Sequence, residues 1–272
     1  MLGASRNSLA QVRESLTERA ERTGVQGFDT LVEELFAVAR LLSRESALRG
    51  LLADPGTAGR QKVSLLESLL SGKVAPLTLE VLGEVVEARW SSPRDLVDAV
   101  EILGFQAAFT LAENDGTLDA VEDELFRFSR IVEAQPTLRA VLTDPGLPAD
   151  RKVAVVRDLL ADKARPTTVR LLEQVIVDPR GRKVEDAVAQ LSELAAERRK
   201  RLLAEVRVAA PLEPEQERRL AAALSRIYGR EVQLQVAVDP TILGGVVVRV
   251  GDEVIDGSVM RRLEEARQRL VG

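Results

Sequence analysis

No histidine and no cysteine occur anywhere in the 272 residues. Without histidine the chain lacks the side chain that ordinarily titrates near neutrality and serves as general acid or base. Without either residue, zinc, copper, haem and iron–sulfur ligation lose their usual donors. Ser-His triads, cysteine nucleophiles and disulfides are excluded outright. Aromatics are scarce as well, with one Trp, one Tyr and six Phe, too few for a platform that stacks bases or sugars. Positive charge is in deficit: 38 Lys and Arg face 43 Asp and Glu, a net charge of −5, which disfavours a nucleic-acid binder. No apolar run approaches the ~20 residues of a membrane span. The stretch 1–20 carries scattered charges and no apolar core, so no secretory signal is expected there. These absences point to a soluble, cytoplasmic protein without a cofactor or metal, and to a membrane association only through partners.

What is present is Leu, Val and Ala interleaved with Glu and Arg, the make-up of packed amphipathic helices. The most informative feature is an internal repeat. Residues 48–56 read LRGLLADPG and residues 138–146 read LRAVLTDPG, an offset of 90. The offset holds without a gap across 48–87 and 138–177, where fifteen of forty pairs are identical. Among them are Lys62-Val63 with Lys152-Val153, Lys73 with Lys163, Pro76 with Pro166 and Thr78 with Thr168. Upstream, Asp29 meets Asp119 and Glu34-Leu35-Phe36 meets Glu124-Leu125-Phe126. Such a period is too long for a solenoid repeat, so two tandem bundles are expected.

Both copies read as helices. Leu31, Leu35, Val38 and Leu42 fall on one helical face, as do Val121, Leu125, Phe128 and Val132. Each DPG closes a segment. Asp150 is expected to cap the segment RKVAVVRDLL, Pro76 and Pro166 to open helices, and Ser92-Pro93 to open a long helix over about 93–113 joining the copies.

From about Leu202 the pattern changes. LLAEVRVAA alternates like a strand, residues 211–228 read as a helix ended by Gly229, and EVQLQVAVD alternates again. GGVVVRVGDEVIDGS reads as a hairpin turned at Gly251-Asp252, and a last helix is expected over about 258–270. The fold class is therefore mainly α: two duplicated helical bundles followed by a small α+β domain. The expected boundaries are 1–104, 105–185 and 186–272.

The stretch from Val238 to Leu270, VDPTILGGVVVRVGDEVIDGSVMRRLEEARQRL, resembles the C-terminal signature of the delta subunit of F-type ATP synthase, the oligomycin-sensitivity-conferring protein family. The signature positions are Asp239, Pro240, Gly244, Gly245, Gly251, Asp252, Asp256, Gly257, Ser258, Arg262 and Leu263. The second bundle is similar to that family's N-terminal domain, so an ordinary member corresponds to about residues 105–272. The extra bundle resembles the longer actinobacterial form. The resemblance implies a non-catalytic stator subunit at the cytoplasmic face of the cell membrane. It implies that the helical region grips the N-terminal helix of an α subunit and that the C-terminal region holds the end of the b-type stalk. Which copy performs the family's usual task stays open.

Sharper readings of single motifs fare poorly. Gly244-Gly245 and Gly72-Lys73 fit neither phosphate-loop pattern, and a close backbone approach is the expected role of the paired glycines. Asp252, Glu253 and Asp256 lack the spacing of a Ca²⁺ loop and read as turn and cap residues, with Ser258 capping the last helix. The run Glu197-Arg198-Arg199-Lys200-Arg201 reads as a solvated helix end, and Trp90 as packing at the joint between bundles. A helical RNA-binding or transcription-regulating adaptor is the alternative from another class, opposed by the net acidity.

Overall fold

The computed structural model describes residues 1, 3–200, 203–228, 232–239, 241–242, 244–250 and 253–257. The expected last helix over 258–270 lies outside them, as do Gly229, Pro240, the Gly251-Asp252 turn, Ser258, Arg262 and Leu263.

The chain forms two compact units, Met1–Ala195 and Ala196–Gly272. In the first, eleven helices follow one another: α1 (Ala4–Thr23), α2 (Phe28–Arg44), α3 (Ser46–Ala53), α4 (Gly59–Leu70), α5 (Pro76–Glu87), α6 (Pro93–Asn114), α7 (Leu118–Ala134), α8 (Pro136–Thr143), α9 (Ala149–Leu160), α10 (Pro166–Val177) and α11 (Val184–Lys200), the last running past the unit's edge. The offset of 90 maps α2–α5 onto α7–α10 residue for residue. It also maps Ala4–Thr23 onto 94–113, so α6 occupies α1's place in the second bundle. The same helix closes the first bundle, packing against α1, α2, α3 and α5, while it also meets α7 and α10. One helix thus serves both copies. The expected boundary at 104 falls in its middle, because a helix shared by two bundles leaves no linker between them, and the one at 185 falls in the first turn of α11.

Burial follows from that double duty. α6 is enclosed on nearly every side, from Leu96 to Ala112, and its buried set includes Glu101 and Gln106. Its start is fixed by Ser92, whose hydroxyl accepts from the Asp95 amide at 3.2 Å, with Pro93 in the first turn. α2 buries two stripes: Phe28, Leu31, Leu35, Val38 and Leu42 inside its own bundle, and Val32, Phe36 and Ala39 beside them. α7 buries the first stripe alone, plus Ser129.

The start of α5 and of α10 is solved identically. Each opens on a proline preceded by a residue without a capping oxygen, Ala75 or Arg165. A glutamate from the neighbouring helix caps instead. Glu34 accepts from the Ala75 amide at 2.9 Å and from the Thr78 hydroxyl. Glu124 accepts from the Arg165 amide at 2.9 Å and the Thr168 hydroxyl at 2.5 Å. The repeat pairs Glu34 with Glu124 and Thr78 with Thr168 because this non-local cap needs all of those groups. Asp150 does not cap α9. The helix begins at Ala149 behind Pro148, which places Asp150 within the first turn, where a negative charge still favours the helix start.

The second unit is a four-stranded sheet in the order β2-β1-β3-β4, with β1 (Leu203–Val208), α12 (Pro214–Tyr228), β2 (Gln233–Val238), β3 (Val246–Val250) and β4 (Glu253–Asp256). β1 pairs parallel with β2 and antiparallel with β3, and β3 pairs antiparallel with β4. The alternation read from the sequence selects one face: Ala204, Val206, Val208, Val248 and Val250 point into a core closed by Leu224. The expected helix over 211–228 starts three residues late, at Pro214, since Pro211 and Pro214 bracket a short lead-in.

Candidate functional site

The described residues hold no group of three or more potential metal ligands, and the most developed polar constellation is the seam between the two bundles. Four side chains of α2 stand on one helical face at i, i+4, i+7 and i+11: Asp29, Glu33, Phe36 and Arg40. They sit across α6 and α10. Arg170 of α10 reaches Asp29 and Glu33, each at 2.8 Å. Arg40 donates to Gln174 Oε1 at 2.5 Å. Phe36, 2% exposed, packs its ring 5.4 Å from that of Phe105 and lies over Gly104. A side chain at position 104 would collide with it, its Cβ lying 2.7 Å from Phe36 Cδ1. Gly104 is therefore a fitted floor for the Phe36 ring rather than a helix breaker.

Beneath this seat lies Glu101, fully buried. Arg180 Nη2 and Arg182 Nη2, the latter at 2.9 Å, bind its Oε2, and Gln174 Nε2 donates to Oε1 at 3.4 Å. Burial pushes the Glu101 carboxyl above its ordinary range, while Arg180, Arg182 and Gln174 pull it back. Arg180 also stands 2.7 Å from Asp98, and Arg182 donates to Gln190 at 2.8 Å. A cleft of about 590 Å³ opens beside the group, walled by Arg49, Arg94, Asp98, Asp178, Arg180 and Arg182 among others. None of Glu101, Arg180 and Arg182 is marked by a motif. The one sequence signal is a pair of carboxylates, Asp98 and Glu101, one turn apart in the mostly apolar run from Leu96 to Ala112.

Other expected residues fall elsewhere. Trp90 is buried and donates Nε1 to the Val85 carbonyl at 2.7 Å, a packing role at the bend between α5 and α6. Gly72 ends α4 with φ +73°, and Lys73 Nζ caps the Leu69 carbonyl at 2.8 Å. Arg198 departs from the solvated face expected of its charge run: it is buried.

In the second unit the described signature residues gather at the end of the sheet. The Asp239 amide donates to the Val208 carbonyl at 2.8 Å. Its carboxylate takes the Thr241 hydroxyl at 2.6 Å and amide at 3.0 Å, with Arg207 at 3.4 Å. The Thr241 contacts, then Arg207, hold that carboxyl below its ordinary range. Gly244 and Gly245 adopt φ +148° and +85°, conformations that disfavour side chains. The Gly257 amide bonds the Val246 carbonyl at 2.9 Å, so Asp256-Gly257 closes β4 onto β3. Tyr228 donates to Glu253 at 2.9 Å. These are turn-building contacts around backbone.

The family model for the ATP synthase delta (OSCP) subunit matches residues 106–270. The chain is 47% identical over its full length, and over the whole of the relative, to ATP synthase subunit delta of Streptomyces griseus subsp. griseus. It is 46% identical, again over all of both chains, to that of Thermobifida fusca. Among solved structures, a chain of the Toxoplasma gondii mitochondrial ATP synthase hexamer covers 62% of this chain and 95% of its own at 21% identity, with a TM-score of 0.34, too loose a superposition to support an argument.

Proposed function

Because the chain belongs to the ATP synthase delta (OSCP) subunit family, we propose that it ties the catalytic α/β head of F-type ATP synthase to the peripheral stalk. It is a non-catalytic component of the complex. In this reading the helical unit binds the N-terminal helix of an α subunit, and residues 196–272 bind the far end of the b-type stalk. No helix among the described residues is long and apolar enough to cross a membrane, so attachment to the cytoplasmic face runs through the complex.

The observation that carries the reading is the seam. A stator element transmits torque without yielding, and two bundles that share α6, with Phe36 and a buried ionic group packed at the joint, suit that task. Stiffness of that kind comes from dense packing. An amphipathic helix laid across helices is a common recognition mode, and α2 on α6 and α10 is an example inside the chain itself.

Calorimetric titration of the full-length chain with a peptide of the α subunit's N-terminal helix tests the first half. Binding at about micromolar or tighter (roughly −8 kcal/mol) is expected. The soluble part of the b subunit tests the second, with a chain ending after Lys200 expected to lose it. Retention of b binding by the shortened chain moves the stalk contact to the helical unit, and silence with both partners removes the stator reading.

A further inference from the structure

The cleft beside Glu101 carries more charge than its bend needs. The equivalent bend of the first bundle is built with Trp90 where Arg180 stands and Ser8 where Asp98 stands. The second bundle instead brings Arg49 of α3, Arg94 from the first turn of α6, and Arg180 and Arg182 of the bend to one cleft. These four guanidiniums outnumber the carboxylates beside them, Asp98, Asp178 and Glu101. Arg182 is held by Glu101 and Gln190, and Arg49 donates Nη1 to the Leu42 and Ser43 carbonyls at 2.8 and 2.9 Å. Arg94 is exposed and its side chain meets no acceptor among the described residues. Arg180 is nine-tenths buried and has a left-handed backbone, φ +52°, followed by Gly181 at +75°. Arginine seldom takes that conformation, and such strain gathers at ligand clamps. Three buried polar atoms on this wall lack a hydrogen bond among the described residues. Arg180 Nε has no acceptor, Arg180 Nη1 meets Asp98 only as an ion contact at 2.7 Å, and Asp178 Oδ2 has no donor. Buried polar atoms are nearly always paired, so the wall calls for a ligand that both accepts and donates.

We propose that this cleft binds inorganic phosphate. The phosphate oxygens accept from Arg94 and Arg180, and a phosphate O–H donates to Asp178. Guanidinium–phosphate bonds are charge-assisted and strong. An ionised carboxylate only accepts, so Asp178 repels an anion without a proton and welcomes one that carries it. Inorganic phosphate keeps at least one proton near neutral pH. Sulfate has the same shape and keeps none, and a phosphate ester sheds its last proton at about pH 6. Asp178 thus selects the free ion over both. The site does not depend on the stator reading.

Calorimetric titration of the full-length chain with sodium phosphate, sodium sulfate and ADP at neutral pH and constant ionic strength provides the test. Saturable phosphate binding at about millimolar or tighter is expected, with sulfate and ADP each weaker by about tenfold or more. Arg94→Gln removes a guanidinium without a partner in the fold, so it should weaken phosphate about tenfold and leave Tm within a few degrees of wild type. Asp178→Asn turns an acceptor into a donor and should bring sulfate level with phosphate, a change of preference that a merely loosened bend does not produce. No saturable phosphate binding by the wild-type chain overturns the proposal. So does sulfate or ADP binding as tightly as phosphate, or an unchanged preference for phosphate over sulfate in Asp178→Asn.

Discussion

Two bends that the repeat makes equivalent are held in opposite ways. The bend between α5 and α6 is tied to α1 by hydroxyls: Ser5 donates to Asp95 and accepts from the Ser91 amide, both at 2.7 Å, and Ser8 donates to the Arg89 carbonyl at 2.7 Å. Trp90 fills the space behind. The bend between α10 and α11 is tied to α6 by ions. Ser8 is replaced by Asp98, Gln11 by Glu101 and Trp90 by Arg180. The difference follows from solvent. α1 has an open side carrying Asn7, Gln11, Glu14 and Glu18, so its polar groups reach water. α6 is covered by both bundles, and its counterparts of Asn7, Glu14 and Glu18 are Val97, Gly104 and Ala108. A carboxylate kept at such a place has to be matched by cations and hydrogen-bond donors. α1 is the terminal surface of a two-bundle stack, and its polar face ends the stack.

The comparison is broken most directly at the aromatic pair. Phe36→Ala is expected to cost about 3–5 kcal/mol, whereas Phe126→Ala stays within about 0.5 kcal/mol; denaturant unfolding of the two variants measures the gap, and equal costs would mean that α2 is not seated as described. Glu101→Ala should cost about 3–5 kcal/mol by leaving Arg180 buried beside an empty partner position, with Gln11→Ala within about 0.5 kcal/mol. Where the bundles agree, the variants should agree: Glu34→Ala and Glu124→Ala are each expected to lose about 1–2 kcal/mol with the helix cap. Unequal losses there would show that one bundle tolerates an uncapped start. A subtler contrast lies at the end of α4 and α9, where Gly72 (φ +73°) faces Asp162 (φ +57°) in the repeat. Asp162→Gly should stabilise by about 0.5–1 kcal/mol by relieving a left-handed residue, detectable as a rise in Tm, and Gly72→Ala should do the reverse. The smallest effect belongs to the second unit. Asp239 titrates below its ordinary value in the folded chain, so its stabilising share is present above the unfolded value and lost as pH falls through the folded one. Asp239→Asn should flatten that part of the acid-side slope of stability against pH.

Much of the fold was legible. The offset between the LRGLLADPG and LRAVLTDPG segments announced the duplication, and the prolines at 76, 93 and 166 marked three helix starts. Alternation at Ala204, Val206 and Val208 marked the strand that became the sheet's centre. The seam was not legible, because its members come from distant segments. Glu101 meets Arg180 and Arg182 across about eighty residues, and Asp29 meets Arg170 across 141. Arg198 misled for a related reason: five charged residues in a row describe a composition, and the face that one of them takes is settled by what packs against it. Asp150 shows the ordinary one-residue uncertainty of a helix start, decided here by Pro148.

Local chemistry is written in order along the chain, and the sequence by itself determined whatever depends on it. That covers the absence of histidine and cysteine chemistry, the duplicated helices, the turns, the small alternating sheet and the family signature from Asp239 to Leu263. Tertiary structure alone decided that α6 belongs to both bundles, that α2 crosses to the second bundle, and that Phe36 is buried while Phe126 is exposed. Those two phenylalanines have the same neighbours in sequence, Glu-Leu before each of them. Burial is a property of what stands opposite, and opposite Phe36 the fold brings Gly104 of a helix some seventy residues away.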